Sequence, residues 1–210
     1  MEDGTELVAH CPNPGAMTGL NAPGSAALLA PATSKTAKLP FRLMAVRVGD
    51  CWVCVDANRP NLLAYQAIAA GALPPFAGYR SIRREARYGT RGSRIDLLLE
   101  GGPDGRACYV EVKNVHLRRE SDWAEFPDSV TARGAKHLAE LADVAAAGGR
   151  AAMLYVVQRG DCDRFRLASD IDPRYAEAFE AARAAGVEMR AYRWAIDPGG
   201  ATLDVELAIG

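Results

Sequence analysis

A lone aspartate, a turn and a Glu-x-Lys tripeptide constrain this chain more than any other feature. Glu100-Gly101-Gly102-Pro103-Asp104-Gly105 is a concentrated turn signal. Arg94-Ile95-Asp96-Leu97-Leu98-Leu99 precedes it, and Ala107-Cys108-Tyr109-Val110-Glu111-Val112-Lys113 follows it. Both flanks have strand character, so the unit is predicted to be a β-hairpin. Folding the chain near residue 103 sets Asp96 opposite, or nearly opposite, Glu111. Strand alternation then puts Glu111 and Lys113 on one face with Tyr109, and Val110 and Val112 on the other. A one-residue slip in register would take Asp96 out of this group.

Two carboxylates held close together repel unless a proton or a divalent cation lies between them. Mg²⁺ or Mn²⁺ suits oxygen ligands of this kind. Asp96 and Glu111 are therefore the candidate metal ligands, with a backbone carbonyl near Val112 as a third. A metal there would polarise a phosphate and acidify a bound water, with Lys113 placed to orient that water or meet developing charge. The alternative is a solvated hairpin in which Lys113 only neutralises its neighbours. Spacing by itself favours the solvated hairpin.

The stretch leading into the hairpin shifts that balance. Tyr79 to Asp96 carries Arg80, Arg83, Arg84, Arg87, Arg91 and Arg94, with Glu85 the single acid before Asp96. The whole chain has a net charge of only -1, so this is a local basic patch. Guanidinium groups grip phosphate bidentately. A basic run beside paired carboxylates points to a polyanionic partner, with nucleic acid favoured over an ordinary surface run paired to acids elsewhere. We take Arg83, Arg87, Arg91 and Arg94, with Arg133 and Lys136 further on, as candidate nucleic-acid contacts, and Glu85 as a candidate third acid.

The 210 residues are 49% hydrophobic, enough for one large or two small cores. No apolar run approaches a membrane span, and the start does not read as a signal peptide, so a cytoplasmic protein is expected. The five cysteines are odd in number and scattered, which argues against a disulfide framework. Cys51-Trp52-Val53-Cys54 lies in a predicted strand, where residues three apart face opposite ways.

Residues 1–57 read as short strands broken by Gly and Pro: Glu6–His10, Ala26–Leu29, Phe41–Val48 and Cys51–Asp56. From residue 58 helices and strands alternate. A helix is predicted from Pro60 to about Ala70, and 117–128 reads as an irregular loop. A second helix is predicted from Val130 to Ala147, its apolar stripe at Leu138, Leu141, Ala142 and Ala145. Arg133, Lys136, His137 and Glu140 then share its outer face. Ala151–Gln158 reads as a buried strand, Asp172 as the N-cap of a third helix, and Val187–Ile196 and Ala201–Ala208 as closing strands. The predicted class is α/β (α+β), a small β-barrel followed by a mixed sheet flanked by helices.

Several ordered motifs resemble one family. They are His10-Cys11-Pro12-Asn13-Pro14-Gly15, Tyr88-Gly89 with Ser93-Arg94-Ile95-Asp96, and Tyr109-Val110-Glu111-Val112-Lys113-Asn114-Val115. Phe126-Pro127-Asp128, Thr131-x-Arg133-Gly134-x-Lys136-His137-Leu138-x-Glu140-Leu141 and Ile171-Asp172-x-x-Tyr175 continue the series. Together they resemble the sugar fermentation stimulation protein A family over nearly the whole chain. The resemblance implies an OB-like barrel over 1–57 and a PD-(D/E)xK nuclease-like domain over 58–210. It also implies non-specific DNA binding and a role in regulating sugar (maltose) metabolism. A metal-dependent nuclease is the alternative function, and an enzyme for a small phosphorylated or sugar ligand a weaker one. Two departures stand out. The family's acid in the first helix aligns with Gln66, and another strand's worth of residues normally precedes His10. The first barrel strand is therefore expected to be missing or cut short.

Overall fold

The computed structural model describes residues 4–89 and 92–210, so the expected contact Arg91 lies outside the described residues. Short N-terminal strands with Gly and Pro between them form a small OB-like sheet. They are β1 (Ala9–His10), β2 (Ala27–Pro31), β3 (Phe41–Val48) and β4 (Cys51–Cys54). β3 is central, with β2 antiparallel on one side and β1 and β4 on the other. β1 is shorter than the strand expected over Glu6–His10. Val46, Val53, Val55 and Leu20 form the core of this unit.

The remaining chain builds an eight-stranded mixed sheet in the order β5-β6-β7-β9-β11-β12-β10-β8. Its strands are β5 (Ser81–Tyr88), β6 (Ser93–Glu100), β7 (Cys108–Val115), β8 (Asp122–Phe126), β9 (Arg150–Val157), β10 (Cys162–Leu167), β11 (Glu188–Asp197) and β12 (Gly200–Ile209). β9 lies parallel between β7 and β11. Its sequence, Arg-Ala-Ala-Met-Leu-Tyr-Val-Val, is almost continuously apolar because both faces of such a strand are covered. Ala151, Met153, Tyr155 and Val157 face one core, and Ala152, Leu154 and Val156 face the other.

Helix α1 (Arg59–Ala69) covers one face, with Pro near its start as the sequence predicts. Helices α2 (Ala132–Ala146) and α3 (Pro173–Ala184) cover the opposite face. One buried carboxylate sets the start of both. Asp172 accepts from the Tyr175 amide at 3.0 Å as the N-cap of α3, and from the Thr131 amide, just before α2, at 2.7 Å. Gly134 lets the helices approach, since a Cβ there would lie 2.9 Å from the Tyr175 ring.

Two segments depart from the sequence reading. The expected irregular stretch 117–128 contains β8, paired in parallel with β10. β10, Cys-Asp-Arg-Phe-Arg-Leu, is itself unforeseen, because its charged residues hide the apolar period. Trp123 of β8 has the guanidinium groups of Arg164 and Arg166 of β10 each 5.2 Å from its ring.

Candidate metal and nucleic-acid site

The hairpin has the register its turn symmetry predicts. Leu97 opposes Val110, Leu98 opposes Tyr109 and Leu99 opposes Cys108. One step further would set Asp96 against Glu111, and there the β6–β7 ladder stops. β7 continues beside β9 as far as Val115, so the two hairpin strands part at the acidic residues.

The parting has a local cause. On β6, Leu97 and Leu99 pack on the α1 side, but Ile95 packs on the α2–α3 side. A regular strand would keep all three on one face. β5 turns over at the same level. Ile82 packs toward α1 and Arg84 lies 5.6 Å over the Tyr65 ring of α1, whereas Ala86 and Tyr88 join the opposite core. Glu85, between them, has φ 53°, a left-handed conformation unusual for Glu. Arg84↔Leu97 and Ala86↔Ile95 pairing sets Glu85 and Asp96 at the same level. The face switch frees the Asp96 carboxylate to enter the gap. There it accepts from the Val112 amide at 2.8 Å and from the Asn61 side chain of α1 at 2.7 Å.

Glu111 points the other way, toward α2, on the face shared with Lys113. Lys113 Nζ is 2.7 Å from its Oε1, and His137 Nδ1 contacts the same oxygen. Arg133 donates to His137 Nε2 at 3.3 Å. That fixes the tautomer with the proton on Nδ1, which then donates to Glu111. Only 2% of Glu111 is exposed, and its Oε2 is buried with no hydrogen-bond partner.

Burial, and next the charge of Glu111, push the Asp96 carboxyl up to about 6. Burial acts upward on Glu111 too, but the His137 hydrogen bond and Lys113 outweigh it and hold its carboxyl below the ordinary value. One carboxylate of the pair is thus stabilised as an anion and the other pays for that charge. An orphaned buried oxygen beside an acid pushed toward protonation fits a divalent cation, which would satisfy both. Among the described residues no three His, Cys, Asp or Glu side chains already enclose one point at metal-binding distance. The cation would rest on Asp96 and Glu111 together with backbone and water oxygens. The Val112 carbonyl points to the same side of β7 as its amide, toward the gap.

The expected basic residues divide into groups. Arg94, Arg133 and Lys136 line one cleft of about 410 Å³ with Glu85, Ser93 and His137. Arg87 lies directly across from Arg94 in the β5–β6 ladder and is exposed. Arg83 is apart from the cleft and sits 3.6 Å from Glu100. Glu85 is exposed on the rim of the cleft.

Three neighbours of the acids escaped the sequence reading. His137 and Glu140 were expected on the outer face of α2, yet they are 5% and 2% exposed and face the sheet. Their cue is the spacing Gly134, His137/Leu138, Leu141, which continues the buried stripe of the helix. Gln66, where the first helix lacks the family's acid, is exposed; α1 reaches the site through Asn61, in its first turn.

The domain models described as "Sugar fermentation stimulation protein RE domain" and "SfsA N-terminal OB domain" match residues 58–200 and 1–55. The chain belongs to the sugar fermentation stimulation protein family. Homologs from Jannaschia sp. and Dinoroseobacter shibae are each 54% identical over the full chain, which spans 87% and 86% of their lengths. A solved structure of Pyrococcus furiosus SfsA in complex with Ca²⁺ matches with a TM-score of 0.88 at 28% identity. The match covers 99% of this chain and 87% of that one. This SfsA-family chain contains no helix, among the described residues, long and apolar enough to cross a membrane.

Proposed function

We propose that this protein binds DNA without strong sequence preference and carries a divalent-cation site of the nuclease type where the phosphate backbone would lie. The observation that carries this reading is the meeting of Asp96, Glu111 and Lys113 at the parted strands, directly beside the basic cleft of Arg94, Arg133 and Lys136. The Ca²⁺ complex of the Pyrococcus furiosus relative supports a divalent cation, and we extend it to Mg²⁺ or Mn²⁺ here. The family's description, sugar fermentation stimulation, supports a regulatory role for such binding in sugar metabolism.

The residues divide the work. Arg83, Arg87, Arg94, Arg133 and Lys136 bind phosphate oxygens and carry no base information. Asp96 and Glu111 would hold the cation, with the Val112 carbonyl beside them. When bound, the cation supplies phosphate polarisation and an acidified water. His137 orients Glu111, and Arg133 orients His137. Asn61 and the Val112 amide fix the Asp96 carboxylate.

Phosphodiester hydrolysis is the second reading. It is favoured by Lys113, whose ammonium sits 2.7 Å from Glu111, where it could hold a water or meet charge on a phosphate. Linear, nicked and single-stranded DNA incubated with Mg²⁺ or Mn²⁺ separates the two. Cleavage by the wild type that disappears in both Asp96→Ala and Lys113→Ala establishes the hydrolase. Binding without cleavage by any form leaves a DNA-binding protein, and absence of binding overturns both readings.

A further inference from the structure

Glu140 of α2 is the least satisfied charged group in the neighbourhood of the site. Its side chain is 2% exposed, and both of its carboxylate oxygens are buried without a hydrogen-bond partner. Lys136 Nζ is 4.0 Å from Oε1, beyond hydrogen-bond reach. The Tyr88 hydroxyl is close by and is likewise buried without a bond of good geometry. Tyr88 itself is fixed by its core position and by the Tyr109 ring, 5.7 Å away.

These groups share one place with the site described above. Glu140 lies one helical turn after His137, which contacts Glu111. Glu111 Oε2 is also buried and unpartnered, so three carboxylate oxygens and a phenol oxygen are left without partners between α2, β5 and β7. The Tyr88 phenol registers this crowd of acids. Burial, then the charges of Glu111, Glu140 and Asp96, and last its hydrogen-bonding contact with Glu140, drive its pKa upward. Buried polar groups in folded proteins are nearly always paired, with an ion or water where protein atoms do not serve. Water-excluded carboxylates are costly unless a cation accompanies them.

We propose that Glu140 is a third acidic ligand of the divalent-cation site, reaching the ion from α2 alongside Glu111 Oε2, with the Tyr88 hydroxyl against the bound ion. The assignment rests on the reading of Asp96 and Glu111 as cation ligands. It supplies from the second helix the acid that the first helix lacks at Gln66. Among the described residues no three acids enclose a point at metal-binding distance, so Glu140 would have to reach the ion by side-chain rotation on binding. His137, one turn earlier, keeps Glu111 Oε1 occupied, so Oε2 is the oxygen that Glu111 offers the ion.

Terbium(III) is the probe, because it takes the same oxygen ligands and its emission is sensitised by a nearby tyrosine. Titration of the full chain should give a saturable signal. Glu140→Gln should weaken binding of terbium, and of Mn²⁺ measured calorimetrically, at least tenfold, and Tyr88→Phe should cut the sensitised emission. Without cation, Glu140→Gln should melt no lower than the wild type, since it removes a buried carboxylate that makes no hydrogen bond, but Mn²⁺ should raise its melting temperature less. Unchanged affinity in Glu140→Gln, with binding abolished in Asp96→Asn, overturns the role of Glu140 and leaves the two-carboxylate site standing. No ion binding by the wild type overturns both. A cation-free melting temperature well below the wild type would mark Glu140 as structural and also overturn the proposal.

Discussion

Asp96 accepts a hydrogen bond from the Val112 amide at 2.8 Å, across the gap where β6 and β7 have ceased to pair. The carboxylate takes the place of a ladder partner. This one substitution of side chain for backbone opens the sheet, buries an acid in the opening and brings it beside Glu111.

The buried acid makes stability pH-dependent in a definite direction. The folded-state pKa of Asp96 is raised from 3.8 to about 6, so the folded chain holds this proton more tightly than the unfolded chain. Its contribution is complete below the unfolded value and is lost as pH rises through about 6, by roughly 3 kcal/mol in all. Asp96→Asn removes that loss but keeps one acceptor where the carboxylate had two, at a cost of about 1 kcal/mol. In urea denaturation without metal, the variant should be less stable than the wild type at about pH 4 and more stable at about pH 7.5. A wild-type-minus-variant difference that does not change with pH would contradict this.

Glu111 raises the pKa of Asp96 through its charge. Glu111→Gln should therefore lower the Asp96 titration midpoint, followed by the carboxyl carbon resonance in NMR. It should also destabilise the fold by about 3 kcal/mol, because Lys113, only 14% exposed, is left without its counter-charge. A midpoint that stays in place would show that burial alone sets the Asp96 value.

A second carboxylate joins the N-terminal loop to the larger sheet. Asp128 Oδ2 takes the Met17 amide at 3.4 Å and His116 Nε2 at 3.2 Å, and a Cβ on Gly15 would run into the same carboxylate. Burial acts upward on Asp128, but the His116 hydrogen bond prevails and its pKa lies below the ordinary value. The stability it lends is present above the unfolded pKa and is lost as pH falls through the folded one. Asp128→Ala should cost about 2 kcal/mol and speed hydrogen exchange at the Met17 amide. Gly15→Ala should act in the same direction. Exchange at Met17 equal to the wild type in both variants would remove Asp128 as the tether.

Much of this was legible because local and long-range signals agreed. The Gly-Gly-Pro-Asp-Gly turn fixed the hairpin register, and the register brought Asp96 to Glu111. Asp172 announced its helix by cap chemistry, and β9 announced itself by an unbroken apolar run. What escaped were residues whose type and position disagree. His137 and Glu140 are polar residues on a buried face, so a reading of hydropathy sent them to solvent. β10 is a strand with Asp and Arg on its open side, and β8 is a five-residue strand whose pairing with β10 is set by tertiary structure. The turnover of β5 and β6 at Glu85 and Asp96 leaves no mark in periodicity, because each half-strand alternates normally on its own.

The proposed path of DNA along the arginine-bearing edge strand and the start of α2 is tested by affinity for a short duplex as a function of salt. The wild type is compared with the triple variant Arg83→Ala, Arg87→Ala, Arg94→Ala, all three of which are exposed side chains. Removing one phosphate-binding guanidinium should lower the slope of log affinity against log salt by about 0.9, so the variant should bind more weakly and with a slope shallower by about 2–3. Affinity and slope unchanged from the wild type would rule out that path.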